Sequence, residues 1–141
     1  MIRTESEYRR SLARLEQDDT AIAAQKKHLR SLGFSSREAA RALEPMLSFR
    51  EQLREEVEAY ENMKRGDLGT LRSLEGVGRW LIGVRIARGW TQKELAQKLG
   101  TTAAQVSRDE RNDYHGITVE RAQRILSALG VQFVAEIKAD K

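Results

Sequence analysis

No cysteine occurs among the 141 residues of the chain. That absence removes a disulfide framework, thiolate metal ligands and thiol nucleophiles together. Histidine is scarce too: His28 and His115 stand far apart and make a poor metal site, so neither metal nor other cofactor is expected. Long apolar runs are missing. The longest falls far short of the roughly 20 residues that cross a bilayer, which points to a soluble protein with no membrane partner. The opening Met1-Ile2-Arg3 turns polar at once, without the apolar core of a signal peptide, so a cytoplasmic location is expected. With 40% hydrophobic content the chain buries one modest core, or two small ones if part of it is an elongated arm. A large enzyme with several subdomains is excluded.

What charge there is lies unevenly. Residues 1–76 hold 14 Lys and Arg against 14 Asp and Glu, whereas residues 77–141 hold 11 against 7, so the whole excess of +4 falls in the C-terminal half. A basic half fits a polyanionic partner, and it fits a merely soluble surface equally well. The motifs must decide between them.

Helix signals organise the first half. Thr4-Glu5-Ser6-Glu7 reads as a capping box, followed by Tyr8, Leu12, Leu15, Ile22 and Leu29 at helical spacing, with Asp19 and Lys26 interrupting the stripe. Gly33-Phe34 stops that helix, and Ser35 with Glu38 starts a second. Its stripe is Leu43, Met46, Leu53, Val57, Tyr60 and Met63, and the single proline, Pro45, should kink or restart it near Glu44. Two long helices joined so closely must pack antiparallel, so residues 1–66 read as a helical hairpin arm for oligomerisation or partner binding. Its charged runs read as solvated faces. Residues 67–76, with Gly69, Gly76 and a possible Asp67-capped turn, read as a connector. Beyond Gly130, Val131, Phe133, Ala135 and Ile137 alternate with polar residues, so residues 131–141 read as a short strand and tail. A lone strand needs a partner, and pairing with a second copy of itself is the expectation.

Residues 77–130 carry the informative pattern. Four short helices follow from their caps and stops: one ending at Gly89, one from the capping box Thr91-Gln92-Lys93-Glu94 to Leu99-Gly100, one capped by Thr102, and one from Thr118 to Gly130. The break between the second and third is short enough that Gly100, in left-handed geometry, swings one helix across the other. Leu95, Ala96, Leu99 and Val106 supply the contacts beneath. The outer face of the third helix stays polar.

The stretch from Trp90 through Glu110, including Thr91-Gln92, Leu95-Ala96, Gly100 and Ser107-Arg108, resembles the Xre/Cro/cI-type helix-turn-helix regulators, and the likeness continues through Leu126 to Val131. The resemblance implies a lambda-repressor-like helix-turn-helix bundle that binds double-stranded DNA; with the antiparallel helical hairpin before it and the short strand after it, a mainly α protein is expected. It implies that the third helix enters the major groove with Ala103, Ala104, Gln105, Ser107 and Arg108 at base edges. Arg108 pairs with guanine, Gln105 with adenine or a phosphate, and the alanine methyls with thymine methyls. Thr91, Gln92 and Thr102 at the helix starts, and Arg111, Asn112, Tyr114 and His115 in the following loop, are then the phosphate contacts. Arg85 and Glu110 fall where relatives bury an ion pair. Asp109 departs from the family pattern, which commonly has an apolar residue there. Either the helix ends early or Asp109 finds a cap or a cation.

The resulting expectation is a homodimeric repressor of a pseudo-palindromic operator. An alternative rests on layout, which is similar to HigA-type antitoxins: the arm, residues 4–64, would hold a protein partner while the helix-turn-helix regulates its own operon. Trp80 and Trp90 read as core or rim packing. His115 has no orienting acid or nucleophile beside it, and no catalytic residue or enzymatic activity is expected.

Overall fold

The computed structural model describes residues 1–140. Among these, six α-helices form: α1 (Glu5–Ser31), α2 (Ser36–Lys64), α3 (Val77–Ala87), α4 (Gln92–Leu99), α5 (Ala103–Arg111) and α6 (Val119–Ala128), with one 3-10 turn at Leu74–Gly76. The chain divides into two compact units, Met1–Glu61 and Asn62–Lys141.

In the first unit, α1 and α2 form an antiparallel hairpin. The caps act as their residue types require. Thr4 accepts from the amide of Glu7, although the Glu7 carboxylate reaches back to the amide of Arg3 at 2.8 Å instead of closing the box on Thr4. Ser35 and Glu38 exchange both bonds of a capping box at 3.1 Å, and together those bonds hold the Glu38 carboxyl below the usual carboxylate range. The kink or restart expected at Pro45 is not a break: α2 runs through it as one helix. The least exposed positions of α2 are Ala39, Leu43, Met46, Arg50, Leu53, Val57 and Tyr60, alternating by four and three. On α1 the equivalent set includes Tyr8, Ser11, Leu15, Asp18, Ile22 and Leu29. Both follow a seven-residue repeat, the period of a coiled-coil seam. Leu12, expected on this stripe, lies beside it and is 40% exposed.

Register is set by specific pairs. The Tyr8 and Tyr60 rings lie 5.0 Å apart, Tyr8 donates to Glu61 at 2.6 Å, and Tyr60 donates to Glu5 at 3.2 Å. Midway, the Arg50 guanidinium is bound by both carboxylate oxygens of Asp19. A polar pair at a seam contributes little net stability but disfavours any slipped alignment that would leave it unpaired.

In the second unit the 3-10 turn, capped by Ser73 on the amide of Glu75, occupies the connector where a turn capped by Asp67 was expected. Helices α3 to α6 enclose a core of Leu81, Ile82, Leu95, Val106, Ile125 and Leu129, each at most 2% exposed. Burying each such side chain stabilises the fold by about 1.5 to 3 kcal/mol. Small residues permit close approach: a Cβ on Gly83 would sit 2.9 Å from Leu68 Cδ2 and 3.4 Å from Met63 Sδ. Arg88 donates to the carbonyl of Leu129 at 3.0 Å, tying the end of α3 to the end of α6.

The expected C-terminal strand does not form: residues 131–140 have no ladder partner, and Lys141 lies outside the described residues. All regular elements among the described residues are helical, so none of them offers the complementary edge that a strand requires. Phe133 packs edge-on against Trp80 with centroids 6.1 Å apart, while Val134 and Ile137 are exposed.

Candidate nucleic-acid interface

The site is built from the turn between α4 and α5. Thr91 and Glu94 exchange the two bonds of a capping box at 3.1 and 2.8 Å, fixing the start of α4. Gly100 ends that helix at φ 70°, ψ 29°, the left-handed conformation that a side chain would disfavour. Thr102 then accepts from the amide of Gln105 at 3.1 Å and starts α5 only two residues later. Leu95 and Ala96 on α4 and Val106 on α5 are buried, with Ala96 small enough for the crossing.

Beneath this turn, Glu110 and Arg85 are paired at 0% and 3% side-chain exposure. Arg85 binds both carboxylate oxygens, one contact at 2.9 Å, and its remaining nitrogen donates to the carbonyl of Trp90 at 2.6 Å. Gln92 donates its amide to Glu110 at 2.8 Å. One carboxylate therefore links α3, the first turn of α4 and the end of α5. The Gln92 side chain, read from sequence as a phosphate contact, is oriented by that bond.

The outer face of α5 is open. Ala103, Ala104 and Arg108 are exposed, Gln105 and Ser107 are half-buried, and Thr91, Thr102, Arg111, Asn112 and His115 lie exposed around them. Tyr114 is a correction. Expected at the phosphate-facing loop, it is only 5% exposed and belongs to the core, where burial and the nearby Glu110 carboxylate push its phenol well above the ordinary tyrosine value. The loop geometry explains the inward turn. Asp113 and Tyr114 adopt φ of 52° and 51°, conformations rare for residues with a Cβ. The Asp113 carbonyl then lies where a Cβ on Gly78 would sit only 1.8 Å away.

Asp109 does find a cation, and α5 continues past it to Arg111. It accepts from Arg121 on α6 at 3.0 Å and from Gln105 at 3.0 Å, while Arg108 donates to Gln105 at 3.0 Å. Sequence reasoning missed Arg121. Its one signal was the unexplained carboxylate at Asp109, but the partner lies twelve residues on, across a loop. Among the described residues, no cluster of His, Asp or Glu has the makings of a metal site, and no helix is long and apolar enough to cross a membrane.

Two short capped helices crossing at a left-handed glycine, with an exposed polar face on the second, define a helix-turn-helix module. The helix-turn-helix family model matches residues 83–134, and this part of the chain is a helix-turn-helix domain similar to those of the Xre/cI-type regulators. No curated protein and no solved structure matches the chain. The module is that of a DNA-binding transcription regulator.

Proposed function

We propose that the protein is a sequence-specific regulator that binds a pseudo-palindromic operator as a homodimer and represses from it. The supporting observation is the division of α5: Val106 and Glu110 face the core, while Ala103, Ala104 and Arg108 stand on open surface. In this reading α5 lies in the major groove and Arg108 pairs with a guanine, while the alanine methyls meet thymine methyls. Thr91, Gln92, Thr102, Arg111, Asn112 and His115 approach phosphates and set register. Catalysis plays no part in it, and no metal or cofactor is needed.

The arm is the dimer surface this reading favours, because Leu12, Leu47 and Phe49 are exposed there, Phe49 at 73%. A smaller protein that co-purifies and shields these residues would replace self-association by a partner complex.

Selecting bound duplexes from random DNA with the full chain tests the reading. A symmetric consensus with half-site centres about 10 base pairs apart is expected. Binding without any sequence preference would refute it. On the selected site Arg108→Ala should weaken binding by about 1 to 3 kcal/mol and relax one base position in each half-site.

A further inference from the structure

Gln105 has the side chain of an adenine reader, because its amide offers a donor and an acceptor side by side. Its surroundings commit both. The Nε2 group donates to Asp109 and the Oε1 accepts from Arg108, each at 3.0 Å. The reversed amide would set an oxygen against a carboxylate and an NH2 against a guanidinium, so the orientation is fixed twice over. Asp109 is itself held by Arg121, and its side chain is only 20% exposed. The result is a continuous chain of hydrogen bonds from α6 to the exposed face of α5: Arg121, Asp109, Gln105, Arg108.

We infer that Asp109 and Gln105 are positioning residues for Arg108, and that Gln105 does not itself read a base. The inference rests on the reading of α5 as the base-contacting helix. Arg108 has long rotatable side-chain freedom, and a guanidinium held in place by a fixed acceptor loses less entropy when it meets a guanine. The arrangement also explains why a carboxylate is tolerated on a surface that faces phosphates: Arg121 neutralises it. Arg121 then serves the relay and is not a free phosphate clamp.

The test is duplex selection from random DNA with the wild-type chain and with Asp109→Ala, Gln105→Ala and Arg108→Ala, alongside affinity for an unrelated duplex. Circular dichroism and thermal melting establish that each variant is folded. Wild type should select one strong guanine per half-site, and Arg108→Ala should lose it. Asp109→Ala and Gln105→Ala should retain guanine as the best base there, with its preference reduced about fivefold or more. Asp109→Ala should at the same time bind unrelated DNA more tightly, because it removes a negative charge and frees Arg121. That pair of opposite changes separates positioning from a merely structural role, since a damaged fold weakens both. If Gln105→Ala instead abolishes preference at a separate adenine and leaves the guanine untouched, Gln105 is a reader and the inference is overturned. An unchanged guanine preference in Asp109→Ala also overturns it. If wild type selects no consensus at all, the reading of α5 fails first and takes the relay with it, an outcome distinct from the other two.

Discussion

Glu110→Ala is the substitution that places the most structure at risk. The carboxylate is fully buried and accepts from Arg85 through both oxygens and from Gln92 at 2.8 Å. Truncation strands a guanidinium that is 3% exposed, and breaking a buried pair in this way costs about 3 to 5 kcal/mol. Small domains are stable by only about 5 to 15 kcal/mol, so this is a large share of the total. Arg85→Met with Glu110→Leu removes both charges and should recover most of the loss. Two deficits remain, because the Trp90 carbonyl loses its 2.6 Å donor from Arg85 and the Gln92 amide loses its 2.8 Å acceptor on Glu110. Both tryptophans, Trp80 and Trp90, lie in the second unit, so urea unfolding followed by tryptophan fluorescence reports on it alone. The expected order of midpoints is wild type, then the double variant close by, with Glu110→Ala well below. A single variant within about 1 kcal/mol of wild type, or a double variant no better than the single, would refute the claim that an unpaired charge is what hurts.

Three further outcomes follow from the geometry. Gly78→Ala should lower the melting temperature by roughly 10 °C, since its Cβ would meet the Asp113 carbonyl at 1.8 Å and backbone cannot yield as a flexible side chain does. Alkaline pH should destabilise the second unit. The Tyr114 phenol is raised in the fold, so above its ordinary value near pH 10 the unfolded chain loses the proton first, and stability falls as pH rises from there. Tyr114→Phe should flatten that fall in pH-dependent melts. Phe49→Glu should convert a dimer to a monomer in light scattering of the full chain, if the arm carries the dimer contact.

The helix-turn-helix was legible because its signals are local. Thr91 with Glu94, Gly100, and Thr102 each act within four residues of where they stand, so caps and stops could be placed from sequence alone. The arm was legible as a hairpin but not in its seam. A search for apolar periodicity selects Leu12 and passes over Ser11, Asp18 and Arg50, yet a seven-residue repeat admits polar residues when a partner such as Asp19 meets them. The tail misled for a different reason. Alternation describes which face a strand would bury, and it cannot supply the neighbouring strand on which that burial depends.

Two adjacent acids on α5 take different partners. Asp109 and Glu110 point about 100° apart around the helix, and the fold uses the difference: Glu110 turns inward to Arg85 and Gln92, while Asp109 turns toward Arg121 on α6. Together they clamp the end of α5 to α3, α4 and α6. The charge consequence is considerable. The cationic partners of the two acids are Arg85 and Arg121, so the exposed Arg108 and Arg111 keep their charge on the outer face of α5. In the proposed reading, those two guanidiniums supply attraction to phosphates together with the exposed Lys93. Binding should therefore fall as salt rises, less steeply for Arg111→Ala than for the wild-type chain, and titrating salt against matched and unrelated duplexes measures that directly. An Arg111→Ala salt slope equal to that of wild type would mean that the charge on α5 does not reach the phosphates.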